Sequence, residues 1–338
     1  MTSVFAKAPL RLAMAGGGTD LLPYWRHHGG VVLNGTIDQY AYCKIEPHHE
    51  WEFKSVDLND HETYSPLYDK YVSTKMKLLI NTYQYLTKDI EREPVKITTY
   101  VEAPPGSGLG SSSALVVALV AAIAEYYAIP LGEYDIAEYA VEIERNICNL
   151  PGGKQDQFAA AFGGFNFIEF LPDGRTIVNP LRLNPKTQNM LELSTVLYYV
   201  GKPRMNERVI ENTFLNLANN DAATLEATHR IKYAAIEYKR SLLLGDVDKI
   251  CETMNTYWKN KIQTNKNVAS PELLDSYEFA LQNGAKAAKI SGAGGGGHMI
   301  LFTDFERRHE LISALKKRKI GRVVPFKFVK HGVDVWRP

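Results

Sequence analysis

A two-domain α+β protein is the expected fold class, and three observations lead to it. The chain has 338 residues, enough for two domains or one large one with a full core. Its last third passes through helix, strand, glycine string, helix and strand, an α+β sandwich pattern. Between Leu171 and Pro185 the composition breaks, with Pro172, Gly174, Pro180 and Pro185 close together. The expected domains are therefore residues 1–180 and 190–338.

Lys plus Arg total 39 against 38 for Asp plus Glu, so no global field favours nucleic acid or an anionic membrane. Any anion must be held by local geometry. Cys43, Cys148 and Cys251 are odd in number and form no C-x-x-C pair, which points to a reducing compartment, the cytoplasm, and away from zinc or disulfide frameworks. Ala13-Met14-Ala15 mimics a signal-peptidase site, but Lys7, Pro9 and Arg11 interrupt any apolar stretch before it. The apolar run Ala114 to Ala124 is too short to span a bilayer. Nucleic acid and membrane are thus excluded as partners, and monomer and homodimer both stay open.

In chain order, the first informative string is APLRLAMAGGGTDLLPYWRHHGG, Ala8 to Gly30. It reads as strand, glycine turn and polar loop. Gly16 to Gly18 let the backbone approach a partner closely, with Thr19, Asp20 and Arg26 nearby. A carboxylate beside glycines suits sugar hydroxyls, whereas the plain alternative makes Asp20 a local turn cap. Val31 to Glu46 is expected as two strands broken near Asn34-Gly35. The pairs His27-His28 and His48-His49 lack helical metal-site spacing and read as loop residues. A helix is expected over Lys70 to Leu86.

Val95 to Val101 alternates as a half-buried strand and feeds PPGSGLGSSSA, Pro104 to Ala114. The prolines end sheet pairing, three glycines bare the backbone, and the serines fall on the first turn of an apolar helix. The run Pro105, Gly106, Ser107, Gly108, Leu109, Gly110, Ser111, Ser112 and Ser113 is the candidate phosphate cradle, because free N–H groups and the dipole meet there. A Walker A loop is excluded, since no G-x-x-x-x-G-K-[ST] string occurs. A dinucleotide fingerprint fails as well: Ser111 stands at the third glycine, and the chain after it stays helical. A tight turn before a buried core helix is the bland alternative.

Tyr134 to Asn146 is a helical stripe. The turn GGKQDQ, Gly152 to Gln157, frees the backbone before Lys154 and Asp156, and Asp156 could be a helix cap or a catalytic group. After the composition break come a strand at Val196 to Gly201 and helices at Glu207 to Ala218, Ala222 to Leu244 and Val247 to Ile262, with Gly245 as a stop. A helix at Pro271 to Asn283, a strand near Ala287, the string KISGAGGGG from Lys289, a helix at Glu306 to Arg318 and a strand through Val323 to Val329 complete the chain.

The strings PLRLAMAGGGTD, PPGSGLGSSSA and KISGAGGGG, in that order, resemble the GHMP small-molecule kinases, the family of galactokinase, homoserine kinase, mevalonate kinase and phosphomevalonate kinase. The match spans most of the chain. The resemblance implies a ribosomal-protein-S5-like N-terminal domain, a ferredoxin-like C-terminal domain and an active site between them. It implies ATP as co-substrate and a magnesium ion (Mg2+). It makes Asp156 the catalytic aspartate with Arg11 as its basic companion, and a cation there would stabilise a developing alkoxide. Ser112 matches the metal-binding serine. The partner glutamate is expected eleven residues before Asp156, where this chain has Arg145, with Glu144 one position earlier. Gly292, Gly294 and Gly295 match the element that closes on the triphosphate.

Within the family, GGGTDLLPYW most resembles the sugar anomeric kinases that act on D-glycero-D-manno-heptose 7-phosphate. Gly17, Gly18, Thr19 and Asp20 would hold the sugar, and Arg26, Lys154 or Arg204 its distal phosphate, unless these are surface cations. The expected partner is thus a small-molecule sugar phosphate. A kinase of free fucose or galactose, and a catalytically silent sugar sensor, are the alternatives.

Overall fold

A computed structural model describes residues 2–63, 76–201 and 206–338. In chain order the elements are β1 (Val4–Ala15), α1 (Leu22–His28), β2 (Gly30–Pro47), β3 (Glu52–Ser55), β4 (Asp60–Thr63), α2 (Lys77–Leu86), β5 (Val95–Val101), α3 (Ser111–Tyr126), α4 (Glu133–Val141), α5 (Gln155–Phe162), β6 (Phe165–Phe170) and β7 (Thr176–Pro180). There follow α6 (Pro185–Ser194), β8 (Thr195–Gly201), α7 (Asn206–Ala218), α8 (Ala222–Leu244), α9 (Val247–Gln263), α10 (Pro271–Gln282), β9 (Ala285–Ile290), β10 (Gly297–Thr303), α11 (Phe305–Arg318), β11 (Arg322–Val324) and β12 (Asp334–Trp336).

These strands make two sheets, one ordered β12-β1-β2-β5-β3-β4 with β6 and β7 attached to β2, the other ordered β11-β8-β10-β9. Two α+β layers result, as expected. The break predicted near Asn34-Gly35 is absent. β2 is a single strand of 18 residues, paired with β1 on one edge and with β6 and then β5 on the other. Its register against β1 shifts twice, between Pro9 and Leu10 and between Ala13 and Ala15, the second shift falling opposite Asn34 and Leu33 without ending the strand. A buried strand with neighbours on both edges keeps its ladder across a glycine.

α3 is apolar on nearly all sides and correspondingly buried, packed across β1 and β2. That all-round burial is why its sequence shows no amphipathic stripe. α8 belongs to the second half in sequence, yet Ile231, Ala235 and Tyr238 join the core of the first sheet. This core therefore takes side chains from both halves of the chain.

The strand expected through Val323 to Val329 ends at Val324. The chain then crosses back: Phe328 bridges Ile37, and β12 pairs with β1 at Phe5, Ala6 and Lys7. The helical stripe ending at Asn146 also changes character, since Glu142–Ile147 forms a π turn. Of the helix expected over Lys70 to Leu86, the part before Met76 lies outside the described residues, as does Arg204. Among the described residues no helix is long and apolar enough to cross a membrane.

Candidate active site

The three glycine strings converge on one cavity of about 380 Å³, lined from both halves of the chain. β1 delivers Arg11 to its floor, where the side chain is 4% exposed. Arg11 Nε donates to Asp156 Oδ1 at 2.8 Å and Nη2 to Asp156 Oδ2 at 2.7 Å, a two-pronged pair. The third nitrogen, Nη1, donates to the Gly108 carbonyl at 2.6 Å, and the Arg11 backbone N–H donates to the Leu109 carbonyl. One guanidinium thus fixes both the aspartate and the glycine loop of residues 104–113, which a lysine could not do in one plane.

Asp156 lies in the first turn of α5, but the cap position is Lys154 and no side chain caps that helix. The carboxylate turns away from its own N–H groups towards Arg11. This excludes the capping role and leaves the acid facing the cavity. Gly110 lies against it: a Cβ there would come within 3.2 Å of the Asp156 carboxyl.

The loop proposed as the cradle takes the backbone that its residue types require. Gly106, Gly108 and Gly110 all have positive φ, and α3 begins directly after Gly110. Pro105, Gly106, Gly108, Gly110, Ser111, Ser112 and Ser113 line the cavity. Leu109 is buried in the core instead. Ser107 is also buried, and its carbonyl accepts from the His298 N–H and meets His298 Nδ1 at 2.8 Å. Burial pulls the His298 imidazole down to about 4. The third string closes over this loop: a Cβ on Gly108 would lie 2.4 Å from the Ser291 carbonyl oxygen. Gly292 reaches the cavity, whereas Gly294 and Gly295 seat against Val268, with the Gly295 N–H donating to its carbonyl.

Asp20 is 3% exposed and accepts from the Gly18 N–H, the Gln155 N–H and Gln155 Nε2. It is not a simple turn cap, because two of these bonds come from α5. Gly153 must be glycine for this contact, since a Cβ would fall 1.9 Å from Asp20 Oδ2. Gly17 and Gly18 line the cavity with Asp20. Thr19 does not: it is wholly buried, and its hydroxyl exchanges two hydrogen bonds with the Val31 backbone. Its role is to fasten the loop to β2.

Glu144 is 1% exposed and takes hydrogen bonds from Ser112 Oγ and Ser113 Oγ, each at 2.6 Å, and from Gln157 Nε2. The glutamate beside Ser112 is therefore Glu144, one position before the place that the resemblance gives it. A π turn widens the backbone at this point and lets the helix absorb one residue without moving its ends. Arg145, in the expected glutamate place, points to the next turn: its guanidinium donates to the carbonyls of Leu150, Pro151 and Gly153. A carboxylate and a hydroxyl are hard oxygen donors of the kind magnesium accepts, and magnesium commonly takes only one or two protein carboxylates beside phosphate and water. The pair fits that ion. Among the described residues no group of three or more His, Cys, Asp or Glu could hold a metal by itself.

Arg26 is exposed, and neither it nor Lys154 lines the cavity. Lys154 instead places its ammonium 5.0 Å from the Trp25 ring centre. The cavity's further cation is one that sequence reasoning missed, Lys261 of α9, which is 5% exposed. The signal was available: Ile250, Met254, Tyr257 and Lys261 form one buried helical stripe, and a lysine on such a stripe is out of place.

Against known families, the GHMP kinase N-terminal domain matches residues 77–164 and the GHMP kinase C-terminal domain residues 238–321. A curated relative, D-glycero-alpha-D-manno-heptose 7-phosphate kinase of Campylobacter jejuni, is 40% identical over 341 residues, covering 100% of both chains. The chain belongs to the GHMP kinase family. This GHMP kinase also superposes on the crystal structure of a D-glycero-D-manno-heptose 1-phosphate kinase from Bacteroides thetaiotaomicron with a TM-score of 0.84, at 36% identity over 99% of each chain. The galactokinase of Lactococcus lactis, at 16% identity, shares the fold with a TM-score of 0.76 over 99% of this chain and 95% of its own. The expected two-domain GHMP kinase fold is thus present, and the protein is a sugar kinase with ATP as co-substrate.

Proposed function

We propose that this GHMP kinase transfers the γ-phosphoryl group of ATP to the anomeric hydroxyl of D-glycero-D-manno-heptose 7-phosphate, giving the 1,7-bisphosphate. The observation that carries the reading is the Arg11-bound Asp156 carboxylate, set between the phosphate loop and Asp20 in one cavity. Full-length identity to a kinase named for that heptose phosphate supports it. Asp20, with Gly17 and Gly18, orients the sugar. Asp156 accepts the proton of the C1 hydroxyl as its oxygen bonds to the γ-phosphorus, and the bond to the β-phosphate oxygen breaks to release ADP. Arg11 stabilises the negative charge that gathers on the attacking oxygen.

Ser112 and Glu144 would hold magnesium, which neutralises charge on the β- and γ-phosphate oxygens when bound. Glu144→Gln should raise the magnesium concentration for half-maximal rate about tenfold, and Ser112→Ala in the same direction. Magnesium titration at fixed ATP measures both. An unchanged requirement in Glu144→Gln would remove that residue from the metal site.

The acceptor is tested by catalytic efficiency over heptose 7-phosphate, heptose 1-phosphate, fucose and galactose with one enzyme preparation. The two heptose kinases above carry names that differ in the phosphate's position, so the product decides between them. Heptose 7-phosphate is expected to be preferred, with loss of the reducing end. Faster turnover of fucose or galactose would establish a free-hexose kinase instead, and no turnover of any acceptor a sugar sensor.

A further inference from the structure

Lys261 enters the cavity from the second half of the chain and takes no part in the chemistry above. Its Nζ donates to the Gly17 carbonyl at 3.0 Å. One turn earlier on α9, the Tyr257 hydroxyl meets the Gly17 backbone as well. An ammonium has three donors, and no carboxylate among the described residues reaches ion-pair distance of this one. Taking a cation out of water without a bonded counterion is costly, so an anion that enters the cavity beside it recovers part of that cost.

We infer that Lys261 binds the distal phosphate of the acceptor, so that the C-terminal half supplies the preference for a phosphorylated sugar. The inference rests on the heptose-phosphate reading and names the group that enforces it. Among the described residues, the other cations lining the cavity are already committed. Arg11 is spent on Asp156 and the Gly108 carbonyl. Arg145 is spent on three carbonyls of the Leu150–Gly153 turn. Lys261 lies against Gly18, where a Cβ would come within 3.2 Å of its Nζ, on the sugar side of the cavity with Asp20. A phosphate there would gain a charge-assisted bond inside a water-poor site and leave the Gly17 contact in place.

Titration follows from the same burial. Desolvation lowers Lys261 to about 8, against the opposing pull of Asp20. Asp20 from the loop after β1 and Lys289 from β9 act on it, Arg11 of β1 and Asp156 of α5 line the same cavity, and the Tyr257 hydroxyl is on its own helix. Burial beside Arg11 and Lys261 pushes Lys289 well down. Below about pH 8 the free enzyme carries the Lys261 charge, and above it the charge is lost. Affinity for the phosphorylated acceptor should therefore fall as pH rises through that value, while affinity for the dephosphorylated sugar should not.

The test is calorimetric binding of heptose 7-phosphate and of the same heptose without phosphate, which needs no turnover. The wild type should prefer the phosphorylated sugar by about 100-fold, and Lys261→Met should reduce that ratio to within about threefold, with Lys261→Arg retaining most of it. Equal weakening of both sugars in Lys261→Met would make the lysine a clasp on Gly17 only, and an unchanged ratio would assign the phosphate to another cation. Either result overturns the inference. If Lys261→Met does not fold, Lys261→Gln, which keeps a donor for the Gly17 carbonyl, decides: an unchanged preference for the phosphorylated sugar overturns the inference equally. Tight, Lys261-dependent binding without phosphorylation would instead retain this subsite and refute the proposed reaction.

Discussion

Asp156→Asn is expected to lower turnover by about 100-fold or more while changing nucleotide affinity little. The amide has nearly the same shape, so the phosphate loop, tied separately through Arg11 to Gly108 and Leu109, keeps its place. The substitution removes the proton acceptor of the proposed reaction. It also puts an NH2 group where Arg11 now donates to a second oxygen, opposing donor to donor. Some stability should be lost, because a buried guanidinium is left half paired. Turnover at saturating substrates, well below the melting midpoint, separates the two effects. Near-normal turnover with lowered stability would make the Arg11-Asp156 pair a structural tie between β1 and α5 and nothing more.

Gly108→Ala should lower kcat/KM for ATP by about 30-fold and cost about 2 kcal/mol of stability, from two sources that add. Gly108 has φ +78°, and its added Cβ would lie 2.4 Å from the Ser291 carbonyl oxygen, a backbone atom that cannot swing aside. Relief requires the third glycine string to lift from the phosphate loop. The lift would disturb the contacts between Ser107 and His298. Gly174→Ala is the control: its φ is +97° with nothing within 4 Å, so it should show conformational strain of about 1 kcal/mol and unchanged kinetics. Equal kinetic effects in the two variants would show that strain, not closure of the two strings, sets the loss.

Local features were legible because consecutive residues encode them. The switch from alternating strand to glycines to serine-headed helix between Val95 and Tyr126 appears in the structure with nearly the same bounds, since each step is a backbone requirement of those residues. The same holds for α8 and α9, where the Asp221 and Asp246 side chains cap the first turns and Gly245 ends α8. The long β2 was misjudged at Gly35 because whether a glycine interrupts a strand depends on its lateral neighbours, here Leu12 of β1 and Phe165 of β6.

The site divides along the same line. The sequence alone marked the candidate phosphate cradle and Asp20 beside its glycines, because each needs a chemistry and a backbone that a short string supplies, whereas the pairing of Arg11 with Asp156 was implied only by the resemblance to the GHMP kinases. Tertiary structure decided which role each polar group takes. Asp156 became a partner of Arg11, 145 positions away, instead of a cap. Glu144 gained Ser112 through a π turn while Arg145 turned to the Leu150–Gly153 carbonyls. Thr19 was spent on Val31, and Lys261 arrived at Gly17 from 244 positions away. Hydrogen-bond partners and burial set what a charged side chain can do, and both are properties of residues that meet only when the chain has folded.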